Sequence, residues 1–175
     1  DDGLSLGAVP APFDAEGVAR RRVDFVVDGV ARGVVWDSYY GGIAGEASTG
    51  HALPAGSTIG PLPGNLFLKP GDATKEDMVA STRRGVWVSR FWYTRPVRPL
   101  DVVITGMTRD GTFLIEDGKI VAPVRNLRFT QSYTEAMNHV EMIGRETRLL
   151  PSLAGACRVP ALKIGAWEFT GATEF

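Results

Sequence analysis

Val102-Val103-Ile104-Thr105-Gly106-Met107, Thr112-Phe113-Leu114-Ile115-Glu116 and Lys119-Ile120-Val121-Ala122-Pro123-Val124 follow one another, separated by short stretches that contain Asp110-Gly111 and Asp117-Gly118. Runs rich in β-branched residues with Asp-Gly between them read as strands joined by tight turns, because those turns need positive φ angles. Three strands and two turns predict an antiparallel meander.

The same signal stands earlier in the chain. Arg22-Val23-Asp24-Phe25-Val26-Val27 and Val30-Ala31-Arg32-Gly33-Val34-Val35-Trp36 flank Asp28-Gly29, a second hairpin. Gly85-Val86-Trp87-Val88-Ser89-Arg90-Phe91-Trp92-Tyr93 is apolar on both faces apart from Ser89 and Arg90, the pattern of a central or covered strand. Arg158 to Phe169 alternates as a closing strand. Two short helices are expected. One is capped by Thr74 with Glu76 and Asp77 in its first turn and stops before Gly85; the other opens at Ser132-Tyr133-Thr134-Glu135 and sets Met137, Val140 and Ile143 on one face before Gly144. The fold class is therefore mainly β (α+β): an antiparallel, barrel-like sheet of hairpins and a meander, with two short helices packed on it.

The 21 glycines and 11 prolines agree with many turns between short elements. At 175 residues, with 44% hydrophobic and 22% charged side chains and no linker, repeat or low-complexity tract, the chain reads as a single domain over 1–175. A net charge of −1 gives no electrostatic case for nucleic acid or an anionic membrane. No apolar run is long enough to span a bilayer. The chain starts at Asp1 without an initiator Met, as expected for a processed protein or a piece of a longer one. One cysteine, Cys157, makes no internal disulfide and is compatible with a reducing cytoplasm.

Chemistry-bearing residues are sparse. The two histidines, His51 and His139, are far apart in sequence and neither has a ligand at metal-binding spacing. His139-Val140-Glu141 lacks the cysteines of a deaminase and reads as part of an amphipathic helix. Cys157 has no nucleophile signature around it and reads as a buried, inert thiol; no Gly-x-Ser-x-Gly elbow or phosphate loop occurs. Trp87, Phe91, Trp92 and Tyr93 lie near Arg83, Arg84, Arg90, Arg95 and Arg98. Such a cluster can stack bases or grip a peptide, but core packing accounts for most of the aromatics. His51 sits in a Gly- and Pro-rich loop running from Ser48 to Gly71.

Several segments, in order, resemble the last third of the TldD/PmbA family: Pro12-Phe13-Asp14-Ala15-Glu16-Gly17-Val18, the hairpin at Asp28-Gly29-Val30, Asp37-Ser38-Tyr39-Tyr40 and Ser48-Thr49-Gly50-His51-Ala52. Pro63-Gly64-Asn65-Leu66-Phe67-Leu68-Lys69-Pro70-Gly71, Arg84-Gly85-Val86-Trp87-Val88 and Phe113 to Val124 continue the match, which covers the chain from about Asp2 to Phe169. The resemblance implies the C-terminal domain of a longer metallopeptidase subunit that acts on peptides in the cytoplasm and pairs with a related TldD/TldE-type subunit as a homo- or heterodimer. Zinc in active full-length members is held chiefly by an upstream His-Glu-x-x-x-His helix, absent here. No catalytic residue and no cofactor is therefore expected for this stretch alone.

TldD-like members place a third zinc ligand, a cysteine, after the second helix of this domain, and Cys157 falls at a similar point. The short Arg158-Val159-Pro160 that follows it, and Arg95-Pro96-Val97-Arg98-Pro99, resemble the PmbA/TldE-like branch more. In that branch the chain belongs to a catalytically silent partner; a stand-alone β-rich peptide-binding module is a third reading. The resemblance recasts the loop from Ser48 to Gly71 as a substrate-side loop. Its candidate substrate-binding residues are Ser48, Thr49, Gly50, His51 and Asn65, with Asn65 and backbone amides better suited to gripping a peptide than His51 is to cleaving one.

Overall fold

A computed structural model describes residues 1–152 and 155–172 and resolves them into two compact units. The first comprises Asp1–Pro70 and Thr147–Pro160, the second Gly71–Glu146 and Ala161–Phe175. The fold is mainly β as expected, but the sheets are open and no closed barrel forms among the described residues.

In the first unit, β1 (Val26–Val27) and β2 (Val30–Ala31) form the hairpin read from Asp28-Gly29, whose φ angles are 52° and 79°. A helix that sequence reading missed follows, α1 (Ser38–Ala44). Its two glycines and two tyrosines have low helix propensity. Caps set it instead: the Asp37 carboxylate accepts from Tyr40 N at 2.7 Å, and Gly45 closes the end at φ 74°. β3 (Asn65–Phe67) then pairs in parallel with the later β9 (Gly155–Ile164), setting Asn65 opposite Ala156 and Leu66 opposite Cys157.

In the second unit, α2 (Lys75–Ala80) has the expected capping box between Thr74 and Asp77. The main sheet contains β4 (Arg84–Arg98), β5 (Val103–Glu116), β6 (Lys119–Pro123), β7 (Leu127–Ser132) and β10 (Phe169–Ala172). Its order is β10-β7-β5-β4, with β6 on the second half of β5. The meander is corrected here, because β5 runs straight through Asp110-Gly111. Those two residues lie opposite Ser89 alone, between the pairs Val88–Thr112 and Arg90–Arg109. The positive φ angles of Asp110 (61°) and Gly111 (124°) serve a bulge, which needs the same backbone freedom as a turn. Asp117-Gly118 does turn, between β5 and β6.

Three further expectations change in this unit. β4 lies at the rim of its sheet instead of its centre, and exposes Trp92 and Tyr93. The helix at Ser132 is only α3 (Tyr133–Asn138): Val140 and Ile143 belong to β8 (Val140–Ser152), and His139 is the exposed C-cap. The closing strand is broken, since β9 ends at Ile164 and β10 starts at Phe169. The core gathers on Phe129, which is fully buried, with Phe91 and Trp167 stacked 5.0 Å apart beside it. Gly106 makes room for that ring, for a Cβ there would meet Phe129 Cζ at 2.7 Å. No helix among the described residues is long and apolar enough to cross a membrane.

Candidate functional site

The loop that starts at Ser48 folds back into the first unit through side-chain hydrogen bonds. Gly50 has φ +75°, and a Cβ there would lie 2.5 Å from Ala19 O, so only glycine fits at this crossing. The next residue, His51, is therefore aimed inward and is fully buried. Its Nδ1 lies 2.9 Å from Thr49 Oγ1 and its Nε2 lies 2.9 Å from Asp1 Oδ1. The other Asp1 oxygen accepts from Asn65 N at 2.5 Å. Asn65, 1% exposed, uses its own amide on Val9, donating to Val9 O and accepting from Val9 N.

The proton positions follow from charge. Burial, with the positive Arg20 adding to it, holds the His51 pKa below the usual imidazole value. A neutral ring has one N–H. If that proton were on Nδ1, the Nε2 lone pair would face the Asp1 carboxyl oxygen. Nε2–H therefore donates to Asp1, while the Thr49 hydroxyl accepts from Trp36 N at 2.7 Å and its single proton is shared between Trp36 O at 3.0 Å and His51 Nδ1 at 2.9 Å.

Asp14 supports the same turn from outside the expected set. Only 6% exposed, its carboxylate accepts from Glu16 N, Val18 N and Ala52 N at 2.8 to 3.0 Å. The signal available for it was Asp14-Ala15-Glu16-Gly17, an Asp-initiated turn. Asp1 carried no such signal. Ser48 is half-buried at the edge, accepting from Gly50 N and donating to Trp36 O.

Of the expected site residues, the structure thus brings Thr49, Gly50, His51 and Asn65 together, with Ser48 beside them. It hides the side chains of Thr49, His51 and Asn65, each of them with partners. Carboxyl, imidazole and hydroxyl stand in the order of a nucleophilic relay, but the ring is sealed and the Thr49 oxygen is committed to Trp36. What this arrangement can do is hold chain segments in place.

Cys157 is half-buried on β9 beside Leu66. A zinc site needs three or four donors, and no group of three His, Cys, Asp or Glu side chains gathers among the described residues.

The fold and this interior describe a mainly-β domain with a hydrogen-bonded loop core. A profile of the PmbA/TldA metallopeptidase C-terminal domain matches residues 1–171, and the chain belongs to that family. It is similar to a zinc metalloprotease TldD homolog of Saccharolobus solfataricus, 27% identical over 166 residues, covering 83% of this chain and 35% of the relative. A metalloprotease TldD homolog of Haemophilus influenzae is 25% identical over 143 residues, covering 78% and 28%. The crystal structure of TldE from Thermococcus kodakarensis shares the fold with a TM-score of 0.79 at 23% identity, covering 93% of this chain and 36% of that one. The chain spans about a third of the length of these relatives.

Proposed function

We propose that this chain serves as the C-terminal domain of a peptidase subunit, contributing substrate-side and subunit-interface surface to a hydrolytic site completed by other parts of a longer protein and by a related TldD/TldE-type subunit. The observation that carries this reading is the family match across residues 1–171, together with relatives named as metalloproteases. Zinc, where the parent chain holds it, supplies polarisation of the scissile carbonyl and an activated water. Cys157 is a candidate to add one ligand to donors from outside this domain.

The residues described here do the positioning. The bonds of His51, Asn65 and Asp14 fix the two ends of the stretch from Leu53 to Gly64, and Leu62 N donates to His51 O across it at 3.1 Å. Ala55 to Ile59 stay exposed at its tip. A peptide is gripped by this loop's main chain and by Ser48, with the hidden side chains acting through the loop. The rim of β4 from Arg84 to Val88, in regular register with β5 and paired with no second strand among the described residues, suits an extended peptide.

The test is hydrolysis of an unstructured fluorogenic peptide by the parent chain expressed with its related subunit. Shortening the Ala55–Ile59 tip is expected to raise KM with kcat little changed. No hydrolysis by the complex, or hydrolysis indifferent to the tip, sinks the reading. Zinc content of each purified subunit separates a zinc-carrying parent from a silent one.

A further inference from the structure

The distal half of β4 carries a surface that the peptidase reading does not use. Arg90 stands 4.8 Å from the centroid of the Trp92 ring, and Arg109 of β5 stands 5.1 Å from it. Arg95 lies 4.7 Å from the Tyr93 ring. Trp92 is 43% exposed and Tyr93 61%, so these stacks are at the surface. Four arginines, counting Arg98, are met by two carboxylates: Asp110 bonds Arg90 and lies 3.9 Å from Arg109, and Asp101 lies 3.5 Å from Arg98. β4 itself contains no Asp or Glu. A local positive excess therefore stands on a chain whose net charge is −1.

This half of the strand is poor at strand pairing. The register shifts between Trp92 and Arg95 and again between Pro96 and Arg98, Tyr93 sits at φ +53°, and Pro96 has no N–H to give. Such features block edge-to-edge aggregation. Recognition here falls to side chains, and a guanidinium already stacked on a ring gives up less rotamer freedom when it binds.

We propose that the Arg90–Arg98 half of β4, with Arg109, docks an acidic, extended segment of a protein partner. Carboxylates pair with the outer edges of the stacked guanidiniums, and apolar parts of the segment lie on Trp92 and Tyr93. A polypeptide is favoured over nucleic acid because the chain, with 19 basic against 20 acidic side chains, has no basic excess to neutralise a long polyanion, whereas a short acidic segment needs only the local patch. The proposal stands independently of the peptidase reading.

The experiment is fluorescence anisotropy on the purified chain with a labelled glutamate-rich peptide, its glutamine analogue, a lysine-rich peptide and a single-stranded RNA of matched charge. The glutamate peptide is expected to bind, more weakly as ionic strength rises from about 0.01 M to about 0.15 M. The double variant Arg95→Glu/Arg109→Glu, both exposed sites, is expected to lose about tenfold or more for the glutamate peptide while gaining the lysine peptide. Gain of the lysine peptide shows a folded surface even where the first affinity vanishes. Trp92→Ala is expected to weaken binding at unchanged salt slope. Failure of the glutamate peptide to bind, equal binding of the glutamine analogue, or retained affinity in the double variant overturns the proposal. Tighter binding of RNA reassigns the surface to nucleic acid, and self-association abolished by the double variant reassigns it to a second copy; either outcome overturns it as well.

Discussion

Replacing His51 by Leu removes two hydrogen bonds from a site with no exposure and leaves Asp1 Oδ1 without its donor. Removing a buried hydrogen-bond donor from a carboxylate costs about 1.5 to 3 kcal/mol, a sizeable share of a typical 5 to 15 kcal/mol of total stability. Urea unfolding followed by tryptophan fluorescence reads this as a lower midpoint at unchanged slope. The wild type supplies a second arm. With the folded pKa of His51 held below its unfolded value near 6.5, the unfolded chain binds the extra proton between the two values. His51's contribution to stability is then fully present above pH of about 6.5 and falls on acidification, by at most about 1.4 kcal/mol per pH unit. His51→Gln keeps a polar group but has nothing to titrate, so this part of the slope disappears. A wild-type and a Gln variant with the same slope would refute the assignment of a neutral ring. A His51 contribution of opposite sign would mean that Asp1 holds an imidazolium, and the proton placement through Thr49 would fail with it.

Gly50→Ala puts a Cβ against Ala19 O at a φ of +75° and is expected to destabilise by about 2 kcal/mol or more, read by the same urea midpoint; a neutral effect would mean the crossing can open. Gly106→Ala presses on the Phe129 ring at 2.7 Å and is expected to cost about 1 to 3 kcal/mol, with altered near-ultraviolet dichroism from the Phe91–Trp167 stack. The chain alone is expected to hold no stoichiometric zinc and to hydrolyse no peptide. Zinc by plasma emission that disappears in Cys157→Ser would contradict the first claim, and turnover by the isolated chain the second.

Local chemistry made part of the fold legible. Asp28-Gly29 and Asp117-Gly118 turn because short polar and glycine residues tolerate positive φ, and Thr74 caps because its hydroxyl reaches Asp77 N. Asp110-Gly111 misled because a bulge asks for the same backbone angles; only the length of the partner strand decides, and that is a long-range fact. α1 was missed for the opposite reason, since its residues disfavour a helix and its caps outweigh them. At the site, the glycine and histidine of Ser48-Thr49-Gly50-His51 drew notice, and resemblance added Asn65. Asp1 went unseen because its partners are 50 and 64 positions away.

That long-range partner decides what the histidine does. A buried imidazole between a carboxyl and a hydroxyl has the donor order of a catalytic relay, and distance alone does not tell the two uses apart. Access does. A nucleophile needs an open face for the carbonyl it attacks, whereas His51 has none and Thr49 Oγ1 already serves Trp36. The same bonds are well placed for a different task, because they join residues 1, 49, 51 and 65 and so clamp both ends of the exposed loop between them. Loosening that clamp should act on the loop's substrate contacts and leave bond-breaking groups elsewhere untouched. In the assembled protein, His51→Gln is therefore expected to raise KM for a peptide while kcat holds, and a fall in kcat at constant KM would place the ring, against its burial, in the chemistry itself.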